Sequence, residues 1–482
     1  MSKDEEGPVS PMGEILNDPS LSLSVLCVAE LDEPVDISQA KKAIRDILLI
    51  QNSRFSSIVT KDEKGVLNWE KTEVNVDDHV FVPHFPPHLS LYDKHVEEYI
   101  SDLHLTKLDP SRPLWEYHFI NYKTTKGEAI AILKLDHMLG DGASIASLTR
   151  ACSTTVISSP SKNHTLLSPP SQNPQHPPIT THKDSQGETT TWPGFEFISR
   201  IWNGLLTVVL VMWYTLHDLI TSFLRSKWME DSRFPLRGHA GVELLPKVMA
   251  SCTFTLQDIG EIKKCVDGTV NDVVMGTVFY GFQLYCGRVL SDLKNMENLR
   301  VTAIALMNTR SPHGKKSVEE MGKSKAGATK GNNFGFLSVA IPMKKLKNPL
   351  EYVRRAKHMF DKKKMSLAAL LTGIVLHYVT RFKGAQTSAK ALYNTLANTS
   401  IVVTNVSGPS KQIMLAGYKI RGGFFSVSGS PTSILVTCHS YMGKLRMQVI
   451  TTKGYVDAKM LSMCFQEAFI DIKDASENAL DS

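Results

Sequence analysis

The sequence predicts a mixed α/β protein of two domains, and three observations predict it. Short apolar runs alternate with helical patterns from Pro8 to about Ser153. The same alternation returns from about Gly241 to Phe465, and such mixtures pack as layered α/β structure. Between the two, residues 158–194 interleave seven prolines, Pro160 to Pro193, with Ser, Thr, Asn and Gln. That composition cannot bury enough apolar surface to order a core and reads as a linker.

In chain order, residues 8–157 form the first domain. Ile37 to Asn52 is helix-like, with Ala40, Ile44, Ile47 and Leu48 on one face, and the run Ala131-Ile132-Leu133-Lys134-Leu135 reads as a buried strand. After the linker, residues 198–226 carry an apolar helix whose central part is Ile201 to Leu224. Its uncharged part ends at Leu216, short of the ~20 apolar residues a membrane span needs. Asn203, Thr207, Tyr214, Asp218, Thr221 and Arg225 recur near the helical period, leaving an apolar remainder. Three readings fit this pattern: a helix lying in a membrane interface, a span, or a helix packed on the protein. In the interface reading, the flanking basic residues Arg200, Arg225 and Lys227 meet anionic headgroups. Residues 241–475 form the second domain, with strand-like runs at Val301–Leu306, Phe336–Ile341, Ile401–Thr404, Ile434–Cys438 and Leu445–Thr451. Met442-Gly443-Lys444 supplies a hairpin turn between the last two.

Composition narrows the function classes. The chain has 482 residues, 42% hydrophobic and 21% charged, which gives two full cores and excludes a largely disordered protein. Its formal charge of +6 is mild, compatible with anionic ligands or surfaces. The basic stretch from Lys344 to Lys364 fits either such a role or a solvated helix face, and without a recognised motif or aromatic interleaving it does not predict nucleic acid as a partner. Seven scattered cysteines, with no C-x-x-C pair or zinc spacing, read as free thiols in a reducing compartment, and no metal site is expected. The charged N-terminus lacks the apolar stretch of a secretory signal, so the domains are expected to face the cytosol.

The chemistry concentrates at one place. His137 leaves the apolar run at its exit, and Gly140, Asp141 and Gly142 force a turn there. An imidazole at a strand end suits a general base, although a strand-end histidine also fits a hydrogen-bonded core residue. Asp141, flanked by glycines, is turn chemistry first, supporting the motif rather than acting as the acid of a triad, and Gly142 allows close chain approach. There is no G-x-S-x-G elbow, no G-x-G-x-x-G, and Gly322-Lys323-Ser324 lacks the first glycine of a phosphate loop.

Five motifs in order carry a resemblance. Leu108-Asp109-Pro110-Ser111-Arg112-Pro113-Leu114-Trp115-Glu116, His137 with Asp141-Gly142, Asn271-Asp272, Gly331-Asn332-Asn333-Phe334-Gly335 and Thr404-Asn405-Val406-Ser407-Gly408-Pro409 follow one another through the chain. His-x-x-x-Asp-Gly resembles the signature of the CoA-dependent acyltransferase superfamily, and the full set resembles the plant-type wax ester synthase/diacylglycerol acyltransferase family. The family usually has two adjacent histidines here, and the first is Asp136 in this chain. Adjacent strand residues point to opposite faces, so only one faces the reaction channel; His137 fills the position the superfamily uses. Asp136 is expected either to act on the His137 pKa through its charge or to weaken the enzyme.

The resemblance implies two chloramphenicol acetyltransferase-like domains meeting at a substrate tunnel, and Asn271, Asp272 and Asn405 read either as lining it or as turn and strand-end punctuation. It implies an acyl-CoA-dependent O-acyltransferase with His137 as the base, moving a long-chain acyl group to a fatty alcohol, giving a wax ester, or to diacylglycerol, giving triacylglycerol. Acyl-CoA is then a co-substrate, with no permanently bound cofactor. The expected partners are these lipids and a membrane surface, and the expected location is the cytosolic face of the endoplasmic reticulum membrane, with the plasma membrane as a second site. Two alternatives stand beside this: an acyltransferase for a small soluble alcohol, and a non-catalytic lipid-binding homologue.

Overall fold

The computed structural model describes residues 7–63, 65–140, 193–233, 236–290, 296–308 and 334–480. Asp141, Gly142, Gly331 to Asn333 and nearly all of the proline-rich stretch lie outside the described residues. Pro193, assigned to that stretch by composition, instead opens a helix, Pro193–Arg225.

The strands in chain order are β1 (Ser24–Leu31), β2 (Ser57–Lys61), β3 (Leu67–Lys71), β4 (Val80–Phe81), β5 (Trp115–Ile120) and β6 (Ala129–Asp136). They continue with β7 (Lys247–Thr255), β8 (Thr302–Asn308), β9 (Phe334–Ala340) and β10 (Ile401–Ser407). The last are β11 (Met414–Leu415), β12 (Tyr418–Ser428), β13 (Ile434–Tyr441) and β14 (Lys444–Thr452). One six-stranded sheet runs β11-β12-β1-β6-β5-β4, another runs β7-β14-β13-β10-β8-β9, and β2 pairs with β3 separately.

The two halves of the sequence do not correspond one to one with the two sheets. β12 belongs by sequence to the second half, yet it pairs antiparallel with β1, Cys27 opposite Phe425 and Val28 opposite Phe424. The chain leaves the second sheet after β10, completes the first sheet, and returns as β13. No periodicity marks such a crossing, because a strand's pattern does not say which sheet it joins.

Burial follows from this packing. All eight residues of β6 are buried, as expected of a central strand covered on both faces. Leu26, Val28, Ile130 and Ile132 on one face share a core with Met249, Ile304, Val402, Leu435 and Ile450 of the second sheet. Val25, Leu133 and Leu135 on the other face pack with Trp115, Tyr117 and Phe55. The far side of the second sheet is covered by the helices Val270–Val289 and Ala458–Leu480. β13 and β14 join through Met442 and Gly443, both at positive φ (49° and 75°), the geometry a two-residue hairpin loop needs.

The helical reading from Ile37 to Asn52 resolves into Ile37–Ala43, a π turn over Ile44–Leu48 and Leu49–Gln51, with Ala40, Ile44 and Leu48 buried. The Pro193–Arg225 helix turns its polar face inward: Thr215, Asp218 and Arg225 are buried, while Leu205, Val209, Trp213 and Leu216 are exposed. Arg225, expected to meet lipid headgroups, instead donates to Asp231 (2.9 Å), Thr302 (2.8 Å) and the Asn398 carbonyl (3.0 Å). A guanidinium in a buried network cannot also face a headgroup.

Candidate functional site

The proline-tryptophan block holds the strand that ends in the motif. Trp115 is fully buried, its indole N–H donates to the Phe55 carbonyl (2.9 Å), and its ring stacks on His79 at 4.2 Å. The Asp136 N–H donates to the Leu114 carbonyl at 3.0 Å, so this block sets the level at which β6 ends. His137 follows, 7% exposed, its backbone N–H donating to the Leu23 carbonyl at 3.0 Å. Arg54 donates to the Leu139 carbonyl at 3.3 Å, closing the turn from below.

Asp136 has a defined local role. Its carboxyl accepts the Met138 N–H at 2.8 Å, and Leu139 N–H returns to the Asp136 carbonyl at 3.1 Å. Burial pushes the carboxyl up to about 7, partly offset by the Met138 hydrogen bond. The group therefore stabilises the turn on which His137 sits, with its negative charge suppressed at neutral pH and below.

The other expected site residues divide. Asn405 and Asn271 come together, the Asn405 side-chain amide donating to Asn271 Oδ1 at 2.8 Å across the start of the Val270–Val289 helix. Asp272 stands at the helix end: its Oδ2 accepts from the Thr269 N–H (2.7 Å) and hydroxyl (2.8 Å), and the pair forms a capping box. This is the punctuation reading, with the carboxyl closing the start of the helix. Gly408 is a packing requirement, since a Cβ there would fall 2.2 Å from the Ser440 carbonyl oxygen.

Two cavities lie where the sheets meet. One, of about 170 Å³, is walled by Cys27 of β1, Leu133 of β6, Val406 and Gly408, Phe425 of β12 and His439 of β13, and it is apolar apart from a few groups. β6, which leads into His137, forms one side of it. The other, of about 260 Å³, is polar, with Glu97, Lys126, Arg446 and Lys459 in its walls. Val28 and Phe424 border both, so the apolar and polar cavities adjoin across one pair of side chains.

The residues that hold the halves together escaped sequence reasoning. Arg446 of β14 makes two hydrogen bonds, 2.7 and 3.0 Å, to the buried carboxylate of Glu30 in β1. His104 donates from Nδ1 to the Ile100 carbonyl (2.8 Å), so its Nε2 accepts from the Ser426 hydroxyl of β12 at 2.6 Å. Burial takes His104 down to about 4 and also depresses His439. Partners more than 300 positions apart leave no local signal. The alternation of β13 does place His439 on the face of Leu435 and Tyr441, and that signal was available.

Comparison with known proteins agrees with this arrangement. Residues 49–274 match the wax ester synthase/diacylglycerol acyltransferase catalytic domain, and residues 330–473 match the WS/DGAT C-terminal domain. Wax ester synthase/diacylglycerol acyltransferase 11 of Arabidopsis thaliana is 28% identical over 92% of this chain and 90% of its own length. Wax ester synthase/diacylglycerol acyltransferase 5 of the same plant is 29% identical over 98% and 94%. Among solved structures, the wax ester synthase/diacylglycerol acyltransferase from Marinobacter aquaeolei VT8 superposes with a TM-score of 0.56 at 14% identity, covering 98% of this chain and 100% of that one. The first condensation domain of the CDA synthetase gives 0.53 at 13% identity, covering 99% and 97%. These two likenesses establish the fold as two chloramphenicol acetyltransferase-like domains. With two domain matches in order and relatives aligned nearly end to end, the chain belongs to the wax ester synthase/diacylglycerol acyltransferase family.

Proposed function

We propose that the protein transfers a long-chain acyl group from acyl-CoA to a fatty alcohol or to diacylglycerol, with His137 as the base. The observation that carries this reading is the placement of His137 at the buried exit of β6, the strand that also walls the apolar cavity between the sheets. His137 takes the proton of the acceptor hydroxyl as its oxygen attacks the thioester carbonyl. The tetrahedral intermediate then collapses, the C–S bond breaks, and the proton passes to the departing CoA thiolate. One imidazole serves both transfers, and the lining of Leu133, Val406 and Phe425 suits an aliphatic tail. Asp141 and Gly142, outside the described residues, are expected to support the turn, and the paired Asn271 and Asn405 to line the second domain's side of the substrate path.

The decisive experiment expresses the protein and its His137→Ala variant in a cell that lacks neutral-lipid synthesis, with acyl-CoA and both acceptors supplied. Wax ester or triacylglycerol is expected from the wild type. The variant is expected to lose about 10²–10⁴-fold in turnover with its thermal transition unchanged. Undiminished ester from a folded variant overturns the mechanism, and activity on short soluble alcohols alone overturns the substrate class.

The same reading places the protein on the cytosolic face of the endoplasmic reticulum, with the plasma membrane as a second location. It is supported by the exposed apolar side of the Pro193–Arg225 helix, of which residues 204–225 are long and apolar enough to cross a membrane, and by substrates that themselves partition into lipid.

A further inference from the structure

A second helix continues the exposed apolar surface. In Ala368–Lys383, the residues Leu370, Ile374, Tyr378 and Phe382 follow one another every four positions, and all are exposed, Tyr378 at 57% and Phe382 at 80%. Four residues at that spacing form a single stripe along a helix. The stripe faces solvent rather than a core. This helix packs against Pro193–Arg225, whose outer face carries Trp202 and Trp213 at 68% and 64% exposure. Singly exposed apolar residues are ordinary on a protein surface, but a contiguous face on two adjoining helices marks an interaction site.

The inner faces show how the first helix is held. Asp218 accepts from Lys363 at 2.5 Å, and the Thr215 hydroxyl accepts from the Leu367 N–H at 3.0 Å, at the junction leading into the second helix. With Arg225 in its buried network, the first helix is tied to the protein at three positions of its C-terminal half. To cross a bilayer it would have to release these ties or carry the Asp218–Lys363 pair into hydrocarbon. Lying flat, it keeps them. Exposed Arg381 and Lys383 at the end of the second helix, and Lys227 after the first, supply cations beside the apolar face, as anionic headgroups require.

The platform also lies close to the chemistry. Ala368–Lys383 packs on the helix Pro11–Asn17, where Gly13 sits so near Met138 that a Cβ would lie 3.2 Å from its Cγ. Met138 follows His137. One short helix therefore separates the apolar platform from the strand end that bears the base.

We propose that Pro193–Arg225 and Ala368–Lys383 together form a two-helix seat that rests on one anionic phospholipid leaflet without crossing it. This inference rests on the membrane reading above. It delivers lipid substrates beside His137.

The full chain and the variant Leu370→Ser/Ile374→Ser/Phe382→Ser, which touches only exposed positions, are floated with phosphatidylcholine vesicles containing or lacking phosphatidylserine. The wild type is expected to float, more strongly with phosphatidylserine. The variant is expected to bind at least about tenfold more weakly, to lose activity on vesicle-borne diacylglycerol, and to keep activity on a dispersed short-chain alcohol. Trp202 and Trp213 report depth, and lipids brominated near the headgroup should quench them more than lipids brominated at the chain ends. Three results overturn the seat: a variant that floats as well as the wild type, strongest quenching at the bilayer centre, or a stable lipid-free dimer that buries this face and does not float. A wild type that makes ester but binds no vesicle overturns the membrane reading itself, leaving the acyltransferase reading intact.

Discussion

The two six-stranded sheets have equal strand numbers but unequal origins. The second is assembled wholly from Lys247 to Thr452, whereas the first combines four strands from residues 24–136 with β11 and β12 from residues 414–428. The difference teaches that the first domain, which carries His137, is incomplete without the second. A crossing strand makes the position of the base depend on the docking of the two halves. Polar contacts at that seam are therefore expected to matter more than similar contacts inside the second domain.

Arg446 tests this most severely. Arg446→Met leaves the Glu30 carboxylate, 5% exposed, buried without its ion-pair partner, and is expected to lower stability by about 3 kcal/mol or more. Chemical denaturation measures the loss, and adding Glu30→Met should restore most of it. If Arg446→Met costs no more than a surface substitution, the seam does not hold the first sheet.

Asp136 sharpens the comparison at the strand end. Its folded carboxyl titrates near 7, above the ~4 of an unfolded aspartate. Folding thus favours the protonated form, so its stabilising contribution is complete below about pH 4 and is lost as pH rises through about 7. Asp136→Asn keeps the acceptor for the Met138 N–H and should flatten that decline. Melting temperatures across this window decide it; an unchanged slope would show that Asp136 is not the group responsible.

A smaller effect is expected at Ser426. Replacing it with Ala removes the hydroxyl that donates to His104 Nε2, leaving a buried nitrogen unpaired at a cost of about 1–3 kcal/mol. Smallest is Asn405→Ala inside the second domain, where an exposed amide pair with Asn271 is worth about 0.5–1 kcal/mol. An Asn405 effect larger than that of Ser426 would reverse the ranking of seam over domain.

Much of the fold was legible. The strand at Ala131 to Leu135, the run Ile434–Cys438 with its hairpin to Leu445–Thr451, and the long apolar helix all follow from apolar periodicity and turn residues, which act over a few positions. The site was legible to the extent that His137 and its turn are a local motif. Asp272 left two readings open because a Thr269-x-x-Asp272 capping box and a site carboxylate look alike without the partner atoms. Arg225 was misread as a headgroup ligand because a helix pattern shows a polar face but not what that face meets.

The sequence by itself determined the local elements, the base at a strand exit and the family motifs in order, since each rests on neighbours within a few residues. Only the tertiary structure decided that β12 enters the first sheet, that Glu30 meets Arg446, that His104 meets Ser426, and that the long helix turns its apolar side outward. Those outcomes depend on contacts between positions tens to hundreds of residues apart. Which distant surfaces meet is chosen by the burial and hydrogen bonding of the whole assembly, a free-energy difference that local patterns do not contain.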